Sequence, residues 1–126
     1  MPPIPPELKY TNEHEWLRME SGLATVGITD YAQKELGDIV FVELPALQRQ
    51  VKKGESLGSL EAVKTVVDIY APVSGQITEV NSNLNNQAGL INQDPYGEGW
   101  MVKIKPSQPD EFNSLLDAQA YQALTV

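Results

Sequence analysis

The chain contains no cysteine. Disulfides, thiolate metal sites and cysteine nucleophiles are therefore excluded, and any sulfur redox chemistry has to arrive on a cofactor. Cations are scarce as well: nine Lys and Arg stand against seventeen Asp and Glu, for a net charge of −8. No basic cluster exceeds Lys52-Lys53. Such a surface repels nucleic acid and anionic membranes alike, so neither is expected as a partner. No apolar run approaches the ~20 residues of a membrane span. The opening "MPPIPPELKY" has neither a basic segment before an apolar core nor an Arg-rich amphipathic pattern, so no signal or transit peptide is expected. A cytoplasmic location follows, with the mitochondrial matrix as the alternative for a processed form. Histidine is limited to His14. One imidazole without cysteine or a surrounding carboxylate cluster builds no metal site, and its ordinary use is packing or hydrogen bonding beside Trp16.

What is present fits a single domain over residues 1–126. A chain of this length buries roughly two thirds of its unfolded surface and needs no staple. Four prolines among the first six residues make residues 1–7 an extended lead-in. "TDYAQKELG" reads as a helix with Thr29 as N-cap, Asp30 in its first turn and Gly37 as its stop. A second helix is expected over about 108–124, with Phe112, Leu115 and Leu116 on one stripe and Gln119 as a polar mismatch. Between them lie short strands. "EWLRME" and "LATVGI" flank Ser21-Gly22 as a hairpin. "DIVFVEL" is apolar enough for a strand buried on both faces. "PVSG" reads as a turn with positive φ at Gly75, and "QITEV" and "WMVKIK" as strands around an Asn-rich loop. Trp16 and Trp100 read as core. "VKKGESLGSLEAVK" and "NQAGLINQDPYGEGWMVKIK" echo each other faintly, as two β halves would. The strand spacing predicts a small sandwich or barrel.

From Gly54 to Val102, Lys64 is the only Lys or Arg, among six carboxylates. "SLGSLEA" and "VVDIYA" flank Val63-Lys64-Thr65, which places Lys64 at a hairpin tip, open to a modifying enzyme. A Schiff-base lysine needs an apolar pocket to lower its pKa, and a tip among carboxylates does the opposite. A phosphate-binding lysine needs a glycine-rich loop before it, which "SLEAVK" lacks. A surface ion pair to Glu61 or Asp68 is worth only ~0–1 kcal/mol.

"EAVKTVVDIYAPVSG" resembles the lipoate-attachment hairpin of the glycine cleavage H-protein family. That family carries its lysine in Glu-Ser-Val-Lys-Ala, followed by an acidic residue and a Pro-Val/Ile-Ser-Gly turn. Here Glu61, Val63 and Lys64 match, Ala62 and Thr65 depart by small changes, and Asp68 is the acidic residue. "YTNEHEW", "VGITDYAQKELGDIVFVELP", "GLINQDPYGEGWMVKIKP" and "DEFNSLLDAQAYQAL" resemble further blocks of the same family in the same order, so the likeness spans residues 8–124.

The resemblance implies a mainly β, lipoyl-domain-like barrel-sandwich hybrid with short flanking helices, one of them C-terminal. It implies a carrier rather than an enzyme, with lipoic acid joined by an amide to Lys64. The family takes an aminomethyl group from glycine decarboxylase (P protein) to the aminomethyltransferase (T protein), and electrons to dihydrolipoyl dehydrogenase (L protein). Lipoylating enzymes are the remaining partners, and the free chain is expected to be a monomer. The family shelters the loaded arm in a cleft with an N-terminal acidic residue and the acidic residue after the lysine. Glu15 and Asp68 hold those positions, with Glu13 beside them, and Glu35 stands where many members carry a His. Other carriers fit less well: biotin carriers flank the lysine with Met, and lipoyl domains of 2-oxoacid dehydrogenases carry Asp-Lys-Ala on tethered domains. An unmodified acidic adaptor is the alternative of a different class. No nucleophile–base pair is visible for an enzyme.

Overall fold

The structure, a computed structural model, describes residues 4–125. The first three residues of the expected lead-in and Val126 lie outside them. From Ile4 onward the lead-in folds against the body: the Tyr10 hydroxyl donates to the Pro5 carbonyl at 2.5 Å, and Ile4 packs near Trp16 and Tyr121.

The expected first hairpin forms from β2 (Glu15–Glu20) and β3 (Leu23–Ile28). Its two-residue turn, Ser21-Gly22, has positive φ at both residues, the geometry that follows the right-handed twist of the strands. β1 (Lys9–Tyr10) lies along β2. On the other side, β9 (Val102–Pro106), β8 (Gly75–Val80) and β5 (Gln50–Val51) complete a six-stranded sheet in the order β1-β2-β3-β9-β8-β5. A three-stranded sheet holds β4 (Ile39–Glu43), β6 (Ser56–Ala62) and β7 (Val66–Tyr70) in the order β4-β6-β7. The strands alternate apolar and polar residues, so each sheet has an inner face. Val26, Leu57, Leu60, Val73, Ile77 and Ile104 meet in the core between them. Each such side chain contributes roughly 1.5–3 kcal/mol on burial. This is the mainly β architecture of the barrel-sandwich hybrid, with α1 (Asp30–Leu36), α2 (Leu90–Gln93) and α3 (Ala118–Leu124) as short flanking helices. Among the described residues no helix is long and apolar enough to cross a membrane.

Four expectations are corrected. "DIVFVEL" is not buried on both faces: β4 is an edge strand, and a register shift between Ile39 and Phe41 leaves Val40 and Phe41 more than half exposed. Gly75 does not take positive φ. It sits in β8 because a Cβ there would lie 2.1 Å from the Lys105 carbonyl oxygen, so the requirement is close approach rather than a turn. The segment before it, Pro72 to Ser74, is a buried crossing between the sheets, pinned where the Glu111 carboxylate accepts from the Ser74 N–H and hydroxyl.

The C-terminal stretch is not one helix over 108–124. It is a tight 3-10 turn, Pro109–Ser114, followed by α3, whose N-cap Asp117 accepts from the Ala120 N–H. Leu116 breaks the helix because it exchanges two backbone hydrogen bonds with Tyr10, each 2.8 Å. The buried anchor of α3 is Tyr121, stacked on Tyr10 with ring centroids 4.7 Å apart, whereas Gln119 is exposed. Finally, the apolar "LINQ" of the supposed second β half is the single helical turn α2, so the echo fails there.

Candidate functional site

Lys64 stands where the sequence places it. β6 and β7 pair from Ser56–Tyr70 to Glu61–Val66, and only Val63, Lys64 and Thr65 lie between them. The Ala62 N–H donates to the Thr65 carbonyl at 2.8 Å and closes the tip. The Val63 N–H donates to the Asp38 carbonyl at 3.3 Å and ties the tip to the start of β4. Behind the tip, Leu60, Ala62 and Ile69 are buried, so the hairpin is stiff while Lys64 itself is exposed. Lys64 makes no ion pair among the described residues.

A second element is the tight loop before β2. The Thr11 hydroxyl oxygen accepts from the N–H groups of Glu13 and Glu15, and the Thr11 carbonyl accepts from His14. His14 is thereby held at φ 69, a left-handed conformation uncommon outside glycine. The loop throws Glu13 outward, sets His14 half-buried against Tyr121 and turns Glu15 inward. Glu15 is 2% exposed, and its carboxylate accepts from the Thr11 hydroxyl at 2.6 Å and the Tyr70 N–H at 3.2 Å. It is therefore a buried clamp between β2 and the end of β7. Burial pushes its pKa up to about 7, against the two hydrogen bonds, which favour the ionised form.

Between β7 and α1 opens a cleft of about 720 Å³. Leu36, Val66, Val67 and Ile69 give it an apolar wall, and Glu13, Glu35 and Asp68 bring carboxylates to it. His14 and Tyr31 also line it, with rings 4.8 Å apart. His14 Nδ1 lies 2.8 Å from the Tyr121 hydroxyl, which lies 2.7 Å from Thr29 Oγ1. Burial lowers the His14 pKa, with Glu13 and Glu35 opposing. The helix that forms the far wall is fixed at both ends. Thr29 caps it through the Ala32 N–H, and the Asn92 side-chain amide donates to Gln33 and to the Gly37 carbonyl.

Of the sequence-expected site residues, Lys64 is at the tip and Glu13 and Asp68 are in the cleft wall. Glu15 does not line the cleft, nor is it a solvated strand charge; it lies beneath β7. Glu61 and Val63 are exposed outside the cleft, on the sheet face and the tip. Ring contacts join His14 to Tyr31 and Tyr121 rather than to Trp16. Sequence reasoning missed Tyr31, Tyr121 and Thr11. Only Thr11 left a signal, a hydroxyl positioned to turn the chain ahead of Glu13 and Glu15. The cleft lining holds no Ser, Thr, Lys or Arg. Chemically the arrangement offers an accessible amine on a rigid support, beside an apolar recess whose carboxylates suit a cation.

Comparison with known proteins agrees over nearly the whole chain. The model of the family described as "Glycine cleavage H-protein" matches residues 8–126. A glycine cleavage system H protein from Symbiobacterium thermophilum is 54% identical over 122 residues, covering 97% of this chain and 95% of that one. One from Bacteroides thetaiotaomicron is 52% identical over 121 residues, covering 96% of each. A probable glycine cleavage system H protein from Aeropyrum pernix is 58% identical over 115 residues, covering 91% of this chain and 80% of the other. The crystal structure of a glycine cleavage system H protein from Mycobacterium marinum superposes with a TM-score of 0.88 at 41% identity, covering 95% and 97% of the two chains.

Proposed function

The chain belongs to the glycine cleavage H-protein family, and from that membership we propose that it is the lipoyl-bearing shuttle of the glycine cleavage system, a carrier with no reaction of its own. Lipoylating enzymes join lipoic acid to Lys64 through an amide. The observation that carries this reading is the placement of Lys64, the only Lys or Arg from Gly54 to Val102, at the exposed tip of a hairpin whose outgoing strand forms the wall of the cleft.

The residues present fit the group. Acylating an exposed amine buries no charge, and the apolar wall of Val66, Val67 and Ile69 starts two residues from the attachment point. When bound, the lipoyl group supplies a cyclic disulfide, the acceptor for an aminomethyl group and for two electrons. This chain's residues do the rest. Asp68 and Glu13 hold a protonated amine in the cleft through charge-assisted hydrogen bonds. Leu36 and the β7 valines exclude water from the carbon beside it. Glu15 fixes β7 from below and does not touch the cargo. Glycine decarboxylase loads the carrier, the aminomethyltransferase unloads it and dihydrolipoyl dehydrogenase restores the disulfide. We place the monomeric carrier in the cytoplasm with these partners.

Intact mass with peptide mapping of protein taken from its native cell tests the reading. The expected result is one lipoyl increment on Lys64, followed by loading with glycine decarboxylase. A biotin increment would move the chain to the carboxylase carriers. A bare Lys64 in cells with active lipoylating enzymes overturns the carrier reading and leaves an acidic adaptor.

A further inference from the structure

The large apolar side chains most exposed among the described residues number eight, and four of them gather on one sheet face around the Lys64 tip: Val40, Phe41, Val63 and Val66. The register shows how. Phe41 pairs with Glu61 and Glu61 with Val66, so these three form one row across the outward face. With strands about 4.8 Å apart, the row is about 10 Å long. The next row holds Glu43, Ser59 and Asp68. The bulge in β4 adds Val40, and Val63 extends the surface over the tip, 73% exposed. Apart from Lys64, no Lys or Arg lies in β4, β6, β7 or the turn that joins β6 to β7. An exposed face that sets Val40, Phe41, Val63 and Val66 among the carboxylates of Glu43, Glu61 and Asp68, on a sheet with open edges, is a liability for a chain that binds nothing there.

We infer that this outward face is the docking surface for the enzyme that acylates Lys64, and that the enzyme meets it with an apolar recess rimmed by basic side chains. The inference rests on the reading of Lys64 as the attachment site. Geometry selects this partner over the others. An enzyme acting on the bare amine works within one lysine side chain of the backbone, so it has to cover the tip with Val63 and Val66. An enzyme acting at the far end of an attached arm works at the cleft on the α1 side of β7, or beyond it. Electrostatics agrees, because Glu43, Glu61 and Asp68 complement a basic rim and steer it to the tip.

The test is steady-state lipoylation of the apo chain by a lipoate ligase with free lipoate and ATP, varying the carrier concentration. Phe41→Ser is expected to raise KM about tenfold with kcat within about twofold, as for an exposed aromatic anchor. Glu43→Lys raises KM as well, and most strongly at low salt. Leu47→Ser, an equally exposed apolar residue outside this face, leaves KM unchanged. Matching urea midpoints confirm that the variants fold. A Phe41→Ser KM within twofold of wild type overturns the inference, as does a wild-type dimer in sedimentation that Phe41→Ser dissolves, which would assign the face to a second copy. Wild-type chain that accepts no lipoate overturns the attachment reading instead, and this inference with it.

Discussion

Glu15 titrates differently in the folded and unfolded chain. Unfolded, it releases its proton near the ordinary value of 4.5; folded and buried, it keeps the proton up to about 7. Between those values the native state binds the extra proton, so this residue's contribution is complete below the unfolded value and is lost as pH rises through about 7. The gap corresponds to about 3 kcal/mol at most. His14 acts in the opposite direction, since burial lowers its pKa and acid favours its unfolded, protonated form. Glu15→Gln separates the two. Its amide oxygen still accepts from the Tyr70 N–H, and no charge is buried. Urea midpoints measured near pH 5 and about pH 8.5 are expected to show Glu15→Gln gaining on wild type at the higher pH. A difference that does not change between the two conditions would mean that Glu15 does not titrate in this range.

At the scale of elements, the Lys64 hairpin is aimed by what its strands are pressed against. Gly58 in β6 sits at a register shift, where an added Cβ would lie 2.0 Å from the Glu43 carbonyl oxygen of β4. Gly58→Ala therefore forces β4 and β6 apart and is expected to cost about 3 kcal/mol. Gly89→Ala, with open space around it, is expected to stay within about 0.5 kcal/mol in the same urea series. The contrast between these glycines is invisible in sequence, because it depends on which backbone lies opposite. Local signals were legible: the Ser21-Gly22 turn, the Thr29 cap and the "LEAVKTVV" hairpin each form as their residues dictate. What was lost needed a partner from far along the chain. Leu116 leaves its helix for Tyr10, Val40 and Phe41 both face outward because a register shift in the edge strand β4 breaks its alternation, and Glu15 goes inward because Tyr70 is there to donate to it. Lys64 and Asp68 lie in one hairpin and were readable together, whereas the cleft that Asp68 lines requires α1 across from it.

At the scale of the whole molecule, a shuttle has to meet several partners quickly and leave each of them. The net charge of −8 serves the first need without obstructing the second, because long-range attraction raises encounter rates more than it lengthens residence. On the proposed reading, lipoylation would strengthen the field by removing the Lys64 cation from the hairpin. The screening length is about 10 Å at 0.1 M salt and about 3 Å at 1 M, so attraction between separated surfaces is removed well before a packed interface is disturbed. If the chain is the carrier proposed above, the second-order rate of its loading by glycine decarboxylase is expected to fall about tenfold between low and high ionic strength, with the turnover rate at saturating carrier little changed. Stopped-flow or initial-rate measurements on the lipoylated chain across a salt series test this. A rate indifferent to ionic strength would show that the acidic surface serves solubility alone and that the partners find the hairpin by shape.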